Sequence, residues 1–286
     1  MRLLRRLQGY WLMIHPFPVM MVVAFATILA VASARETTDL SRLVRAIATL
    51  FFSQAVVGIT NDYHDRALDA QGQPWKPLAR GIVSPNEARV LIALAFLLML
   101  TFAISLGPIV LLLALLGTIA GIIYNFWLRG TPFSWLPYVL GFIVLPISVW
   151  VSMQSFNVNE LALVPIGLPL LVGVHLAQTL PDVETDRALG ERGFAVTLGR
   201  ARGVLAVWSA CIAAQLLALL SAVWLNSNLQ IVMLTILASF ALVAASIALY
   251  HRRPTLATLR VIFRLVAPSA VILVAGWLAA LQSLGR

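Results

Sequence analysis

Nine stretches of this 286-residue chain stay apolar for about the length of a membrane-crossing helix, near 11–33, 41–60, 86–106, 108–127, 133–152, 160–180, 203–225, 229–250 and 261–283. The runs are continuous rather than alternating with period two, so they specify helices and not a barrel. Composition agrees: 61% of residues are hydrophobic and 11% charged, a balance that only a lipid solvent accommodates. Turn chemistry separates the runs, as at Gly107-Pro108, Gly130-Thr131-Pro132, Asn226-Ser227-Asn228 and Arg252-Arg253-Pro254. The expectation is an all-α polytopic membrane protein with about nine transmembrane helices. Residues 1–286 form one domain containing two pseudo-repeats.

The first run ends in Ala30-Val31-Ala32-Ser33-Ala34 after Arg2, Arg5 and Arg6, which imitates a secretory signal. It is nearly twice the length of a signal core, and eight further spans follow, so it reads as a retained helix. Nineteen of the twenty basic residues are Arg. Counted on alternate sides of nine spans, sixteen basic residues fall on the side of the N-terminus. Four, Arg35, Arg42, Arg45 and Arg286, fall on the other. The N-terminus is therefore expected in the cytoplasm and the C-terminus outside. The excess of positive charge marks loops and anionic headgroups; nucleic acid would need a soluble basic face, and none is visible. The lone Cys211 lies in an apolar run and forms no internal disulfide.

Asp-Arg-Ala-Leu occurs twice, at Asp65 to Leu68 and at Asp186 to Leu189. The same offset lays Asn61 over Asp182 and Gln54 over His175. Around the two copies stand Asp62, Asp65, Asp69, Asp182, Glu184, Asp186 and Glu191, seven of the chain's eleven acids. Both copies end inward-running helices, so both are expected at a cytoplasmic mouth. On a helix, Asn61, Asp62, Asp65 and Asp69 share one face. Asp182 and Asp186 form an i, i+4 pair, and His175, Gln178 and Thr179 extend that stripe backward.

An ionised carboxylate near the bilayer interior costs about 2.5–3.5 kcal/mol even on the lenient insertion scale, and like charges at i, i+4 repel. A hard cation offsets both. Oxygen-only ligands suit Mg²⁺, which binds through one or two carboxylates and completes its shell with phosphate oxygens. Cys and His are too few for zinc. Lys76 and Arg80, in the loop after the first acids, suit a diphosphate; as single residues they also serve as cytoplasmic anchors. Tyr124 and Asn125 add polarity at the end of the fourth span.

These motifs resemble those of the UbiA-type intramembrane prenyltransferases. Asn61 to Asp69 has their Asn-Asp-x-x-Asp-x-x-x-Asp pattern, Asp182 to Asp186 is similar to their second Asp-x-x-x-Asp, and Lys76-Pro77-Leu78-Ala79-Arg80-Gly81 resembles their Arg-Pro-Leu-x-x-Gly. The resemblance covers essentially the whole chain. It implies a helical bundle open to lipid under a cytoplasmic cap, and Mg²⁺-dependent transfer of a polyprenyl group from its diphosphate to an aromatic or lipid acceptor, as in quinone biosynthesis. Carried over, Asn61, Asp62, Asp65 and Asp69 hold one metal, Asp182 and Asp186 a second. Catalysis rests on Asp65, Asp69, Asp182 and Asp186, and Lys76, Arg80 and Tyr124 take the diphosphate. Phe142, Trp150 and Trp208 are available to stabilise an allylic cation.

The chain departs from the pattern at His15-Pro16, where relatives have Arg-Pro, and at Leu128, where a basic residue is common and Arg129 follows instead. After the second motif it has Glu191-Arg192-Gly193 rather than a Lys/Arg-Thr run. These changes leave the acceptor open, along with the roles of His15, His64 and His175. Two other readings differ in outcome. A terpene cyclase of the same type would ionise the diphosphate and let the prenyl chain attack itself. A cation-coupled transporter would place ionisable residues near the midplane of broken helices, whereas these acids fall at helix ends.

Overall fold

The structure is a computed structural model that describes residues 2–33, 39–188 and 190–282. Among them every regular element is helical. Eight helices are long and apolar enough to cross a membrane, and a bent pair makes up to nine. Arg35 and Arg286 of the charge count, Ala34 of the signal-like stretch and Leu189 of the repeat lie outside the described residues.

The first span departs from expectation. Instead of one helix over 11–33 there are two, α1 (Arg2–Met13) and α2 (Pro16–Ala32), bent by 56° where they meet. Pro16 and Pro18 are the cause. A proline lacks the N–H that a continuing helix needs and drives the residue before it out of the helical region. His15, just before Pro16, adopts φ 58°, ψ 64°.

The chain then divides into two compact units: residues 1–127 with 140–156, and residues 128–139 with 157–286. The first is built on α3 (Leu40–Gly72), which packs on α4 (Pro85–Leu106), α5 (Pro108–Ile123) and α2. Asp39 opens α3 by accepting from the Arg42 N–H. α3 continues well past the apolar stretch 41–60, because nothing in 61–71 breaks a helix and its acids find partners. Ser84 and Glu87 close a capping box at the start of α4. α5 runs into a π-helical turn, Tyr124–Leu128. The later part of α6 (Trp135–Ser152) completes this unit.

In the second unit, α7 (Leu163–Thr179) packs on α9 (Phe194–Trp224), and α10 (Leu229–Arg252) packs on α11 (Leu256–Gln282). Pro181 interrupts what the sequence suggests is one helix. A 3₁₀ turn, Leu180–Asp182, leads into short α8 (Val183–Ala188). α9 kinks at Gly199, whose φ of 72° suits glycine, so the apolar span expected from 203 is preceded by a separate turn.

Surfaces and interiors are those of a protein solvated by lipid. Leu94, Leu97, Ile104, Leu112, Leu234 and Leu237 are exposed, while buried polar side chains pair between helices. Ser53 bonds Thr118 at 2.7 Å, Trp208 donates to Ser246 at 3.0 Å, Gln215 to Ser239 at 3.0 Å and Trp277 to Ser221 at 2.9 Å. Such pairs satisfy donors that hydrocarbon cannot.

Candidate active site

At the first motif, α3 turns one face inward. Asp62, Asp65 and Asp69 are buried, at 2%, 6% and 6% exposure, and Asn61 is half-buried. His64, Arg66, Ala67 and Leu68, on the other side, are exposed. The helical spacing of the acids therefore places them on one inward face.

Each buried carboxylate has a polar side chain within hydrogen-bond distance. Lys76 Nζ lies 3.0 Å from Asp62 Oδ1 and 2.9 Å from Asp69 Oδ2, so a single ammonium spans two turns of α3. Burial works to lower the Lys76 pKa, but the hydrogen bonds to Asp69 and Asp62 and the negative charges of both together outweigh it and raise it above the usual lysine range. Asp62 Oδ1 also meets His15 Nε2 at 3.0 Å. Asp65 Oδ1 meets His64 Nδ1 at 2.9 Å, and its Oδ2 accepts from Asn61 Nδ2 at 3.3 Å. Asn125, buried on the π-helical turn, donates to the Val57 carbonyl at 2.9 Å and accepts from Asn61. Tyr124 beside it is half-buried, and Arg80 is exposed.

Two glycines allow this arrangement. A Cβ on Gly58, one turn before Asp62, would lie 3.0 Å from the Ile14 carbonyl oxygen and 3.2 Å from the His15 ring. Only a bare backbone lets the α1–α2 break come close enough to lay His15 on Asp62. Gly9 of α1 similarly receives Ile82, Val83 and Pro77 of the loop that carries Lys76. Leu78 and Val83 of that loop are buried with Met13, Ile59 and Ala88. The loop is thus a packed element, closed by bonds such as Arg80 N–H to the Lys76 carbonyl.

The second motif is more open. Asp182 closes the 3₁₀ turn and is exposed; Asp186, on α8, is half-buried. Neither carboxylate has a hydrogen bond or ion pair among the described residues. Glu191 and Arg129 lie within electrostatic reach of Asp186. Backbone bonds hold this group together: Glu191 N–H to the Asp186 carbonyl at 2.9 Å, and Arg192 N–H to the Gly130 carbonyl at 3.0 Å. Glu184 instead pairs at the surface with Arg187 at 3.0 Å and Arg200 at 3.9 Å.

The stripe expected to run back through His175, Gln178 and Thr179 does not hold. His175 is buried on Ser134 Oγ at 3.1 Å, whereas Gln178 is exposed. The helix ends at Thr179, whose hydroxyl turns back to the His175 carbonyl. Trp208 is a core residue, edge-to-face with Tyr250 and bonded to Ser246; Trp150 is buried and Phe142 partly exposed.

The sequence puts Asn125 at the mouth and Gly58 on the stripe of the first motif, but gives neither them nor His15 a role in holding the acids. Signals for two of them were present: Pro16 after His15 marks a break, and Gly58 lies four residues before Asp62 on the same helical face. Among the described residues, no three His, Cys, Asp or Glu side chains converge on a point. The donor set fits Mg²⁺ all the same, because this ion takes few protein ligands. The seat that Lys76 occupies between Asp62 and Asp69 is already one for a cation.

These features define a polytopic α-helical membrane protein with an acidic motif in each of its two compact units. The sequence model of the UbiA prenyltransferase family matches residues 20–267, and the chain belongs to that family. It is 31% identical to a 4-hydroxybenzoate octaprenyltransferase of Shewanella denitrificans over 188 residues, 64% of this chain and 61% of that one. It is 26% identical to a digeranylgeranylglyceryl phosphate synthase of Methanoregula boonei over 181 residues, 62% and 64% of the two chains. The chain thus spans less than two thirds of the length of these curated relatives.

Solved structures match nearly end to end. A digeranylgeranylglyceryl phosphate synthase superposes with TM-score 0.79 at 18% identity, covering 96% of this chain and 98% of that one. A UbiA homologue from Archaeoglobus fulgidus bound to GPP and Mg²⁺ superposes with TM-score 0.72 at 15% identity, covering 96% and 99%. At such identities the likeness is one of fold.

Proposed function

We propose that this protein is a Mg²⁺-dependent prenyltransferase that moves a polyprenyl group from its diphosphate to an aromatic or lipid acceptor inside the membrane. The observation that carries the reading is the inward face of α3, where three carboxylates are buried and two of them, Asp62 and Asp69, are held against the Lys76 ammonium, in a chain of the UbiA family. A polyprenyl diphosphate has the matching shape: an apolar tail for the bilayer and a multiply charged head that needs cations. The Mg²⁺ and GPP held by the Archaeoglobus fulgidus homologue support the same donor class.

Asn61, Asp62, Asp65 and Asp69 would hold one Mg²⁺, and Asp182 with Asp186 a second. Bound there, the metal supplies positive charge to the diphosphate oxygens. The chain's own residues do the rest. Lys76, on its packed loop, and exposed Arg80 donate to the diphosphate as negative charge grows on it. The allylic C–O bond breaks, its electron pair leaves with the diphosphate, and the acceptor's electrons fill the vacated carbon as one acceptor proton is lost. Apolar surroundings exclude the water that would otherwise capture the cation. His15 and His64 orient Asp62 and Asp65, and Asn125 orients Asn61.

The names of the relatives, a 4-hydroxybenzoate octaprenyltransferase and a digeranylgeranylglyceryl phosphate synthase, suggest an aromatic acid and a glyceryl phosphate lipid as acceptors to test. Purified protein in lipid is given Mg²⁺, prenyl diphosphates of increasing length and each acceptor in turn, with products read by mass spectrometry. A prenylated acceptor that needs Mg²⁺ supports the proposal. A cyclised prenyl product with every acceptor left unchanged would replace transfer with cyclisation.

A further inference from the structure

We infer that α1 is not the start of a transmembrane helix but an interfacial one, and that its outer ridge docks on the anionic headgroup layer on the side of the first acidic motif. At 100° per residue, the helix has three faces. Gly9, Met13, Tyr10 and Arg6 share one arc and meet the protein: Gly9 against Pro77, Ile82 and Val83, Met13 in the core, Tyr10 donating to Glu87 at 2.7 Å, and Arg6 3.6 Å from Glu87. Leu3, Leu4, Leu7 and Trp11 fall in a second arc of about 100° and are bare, at 70%, 71%, 52% and 45% exposure. Arg5, Gln8 and Leu12 lie between, also exposed.

A bare apolar ridge on a helix this cationic suits a boundary rather than a membrane interior. Residues 2–13 contain three Arg and no acid, so anionic headgroups complement the helix while the ridge enters the upper acyl region. Were α1 to continue the span, Arg5 and Arg6 would be drawn toward hydrocarbon at steep cost. The span does not need it: α2, at 17 residues, extends about 25 Å, close to crossing unaided. The 56° bend at His15 turns α1 away from the α2 axis. The opposite face of α1 carries the Lys76 loop, and His15 at its end meets Asp62. One helix therefore links the membrane surface to the first acid cluster.

The native Cys211 is 1% exposed, so an environment-sensitive fluorophore can be placed at Leu4→Cys, Leu7→Cys, Trp11→Cys and Gln8→Cys in full-length protein reconstituted in liposomes. Depth is read by nitroxide lipids quenching at different positions along the chain. Equal, shallow insertion at 4, 7 and 11, with 8 nearer water, is expected. A depth that changes steadily from 4 to 11, by about 1.5 Å per residue, would overturn the inference, as would water exposure at all four. At equal mole fraction, an anionic nitroxide lipid should quench the position-4 probe more than a zwitterionic one. Arg5→Gln should cut that excess by about fivefold, the weight of one basic residue at an anionic surface. Equal quenching by the two headgroups in the unsubstituted helix would refute the anionic preference.

Discussion

Lys76 is the residue on which the first motif's electrostatics turn. It is the chain's single lysine, and its ammonium bridges Asp62 and Asp69 and offsets their mutual repulsion. Lys76→Met should leave two buried carboxylates without their shared cation and destabilise the protein by about 3 kcal/mol, read as a lower midpoint of thermal unfolding in detergent. Adding Mg²⁺ with a prenyl diphosphate should restore part of that loss. An unchanged midpoint would mean that the ion pairs contribute nothing. Spacing alone made the acids legible, because burial follows helical geometry and Asp62, Asp65 and Asp69 obey it. His15 was not legible as a partner. Its contact with Asp62 spans 47 positions and depends on a backbone break that hydropathy does not register.

Among the elements, the α1–α2 junction and α3 set the geometry of the first motif. Gly58 is where they touch, so Gly58→Val should push His15 off Asp62 and cost about 1–3 kcal/mol through overpacking. Thermal unfolding measures the cost. Retention of normal stability would show that the α1–α2 break does not need this close approach. The far end of α3 resolves a different puzzle. Arg42 and Arg45 stand on the side that the charge count leaves poor in basic residues, yet Arg42 donates to the Ser152 carbonyl at 2.8 Å and Arg45 to the Ser105 carbonyl at 3.0 Å. Both carbonyls lie at helix C-termini, where a cation is favourable. Arg42→Met should therefore lower stability by about 1.5 kcal/mol without altering topology. Helix positions were readable because lipid demands long apolar runs. Breaks at Pro16, Pro181 and Gly199 were harder, since each depends on local backbone geometry inside an otherwise apolar or helical stretch.

For the whole molecule, the fold is that of the UbiA family, and each compact unit carries one of the two acidic motifs. The charge count predicts that both face the cytoplasm. A reporter fused at the N-terminus should be shielded from external protease in intact cells, and cleavage there would invert the assignment. Class and fold could be read from apolar runs and the doubled acids. The acceptor could not, because no spaced motif corresponds to it. The central proposal is that both acidic motifs are needed for Mg²⁺-dependent release of diphosphate. Its most direct test is diphosphate release from a polyprenyl diphosphate by purified protein, compared with Asp65→Ala and Asp186→Ala. The account predicts release that is abolished by a chelator, restored by Mg²⁺, and lowered by each substitution at least about 100-fold, the upper end of what losing a mere supporting partner costs. Undiminished release by either variant would contradict it.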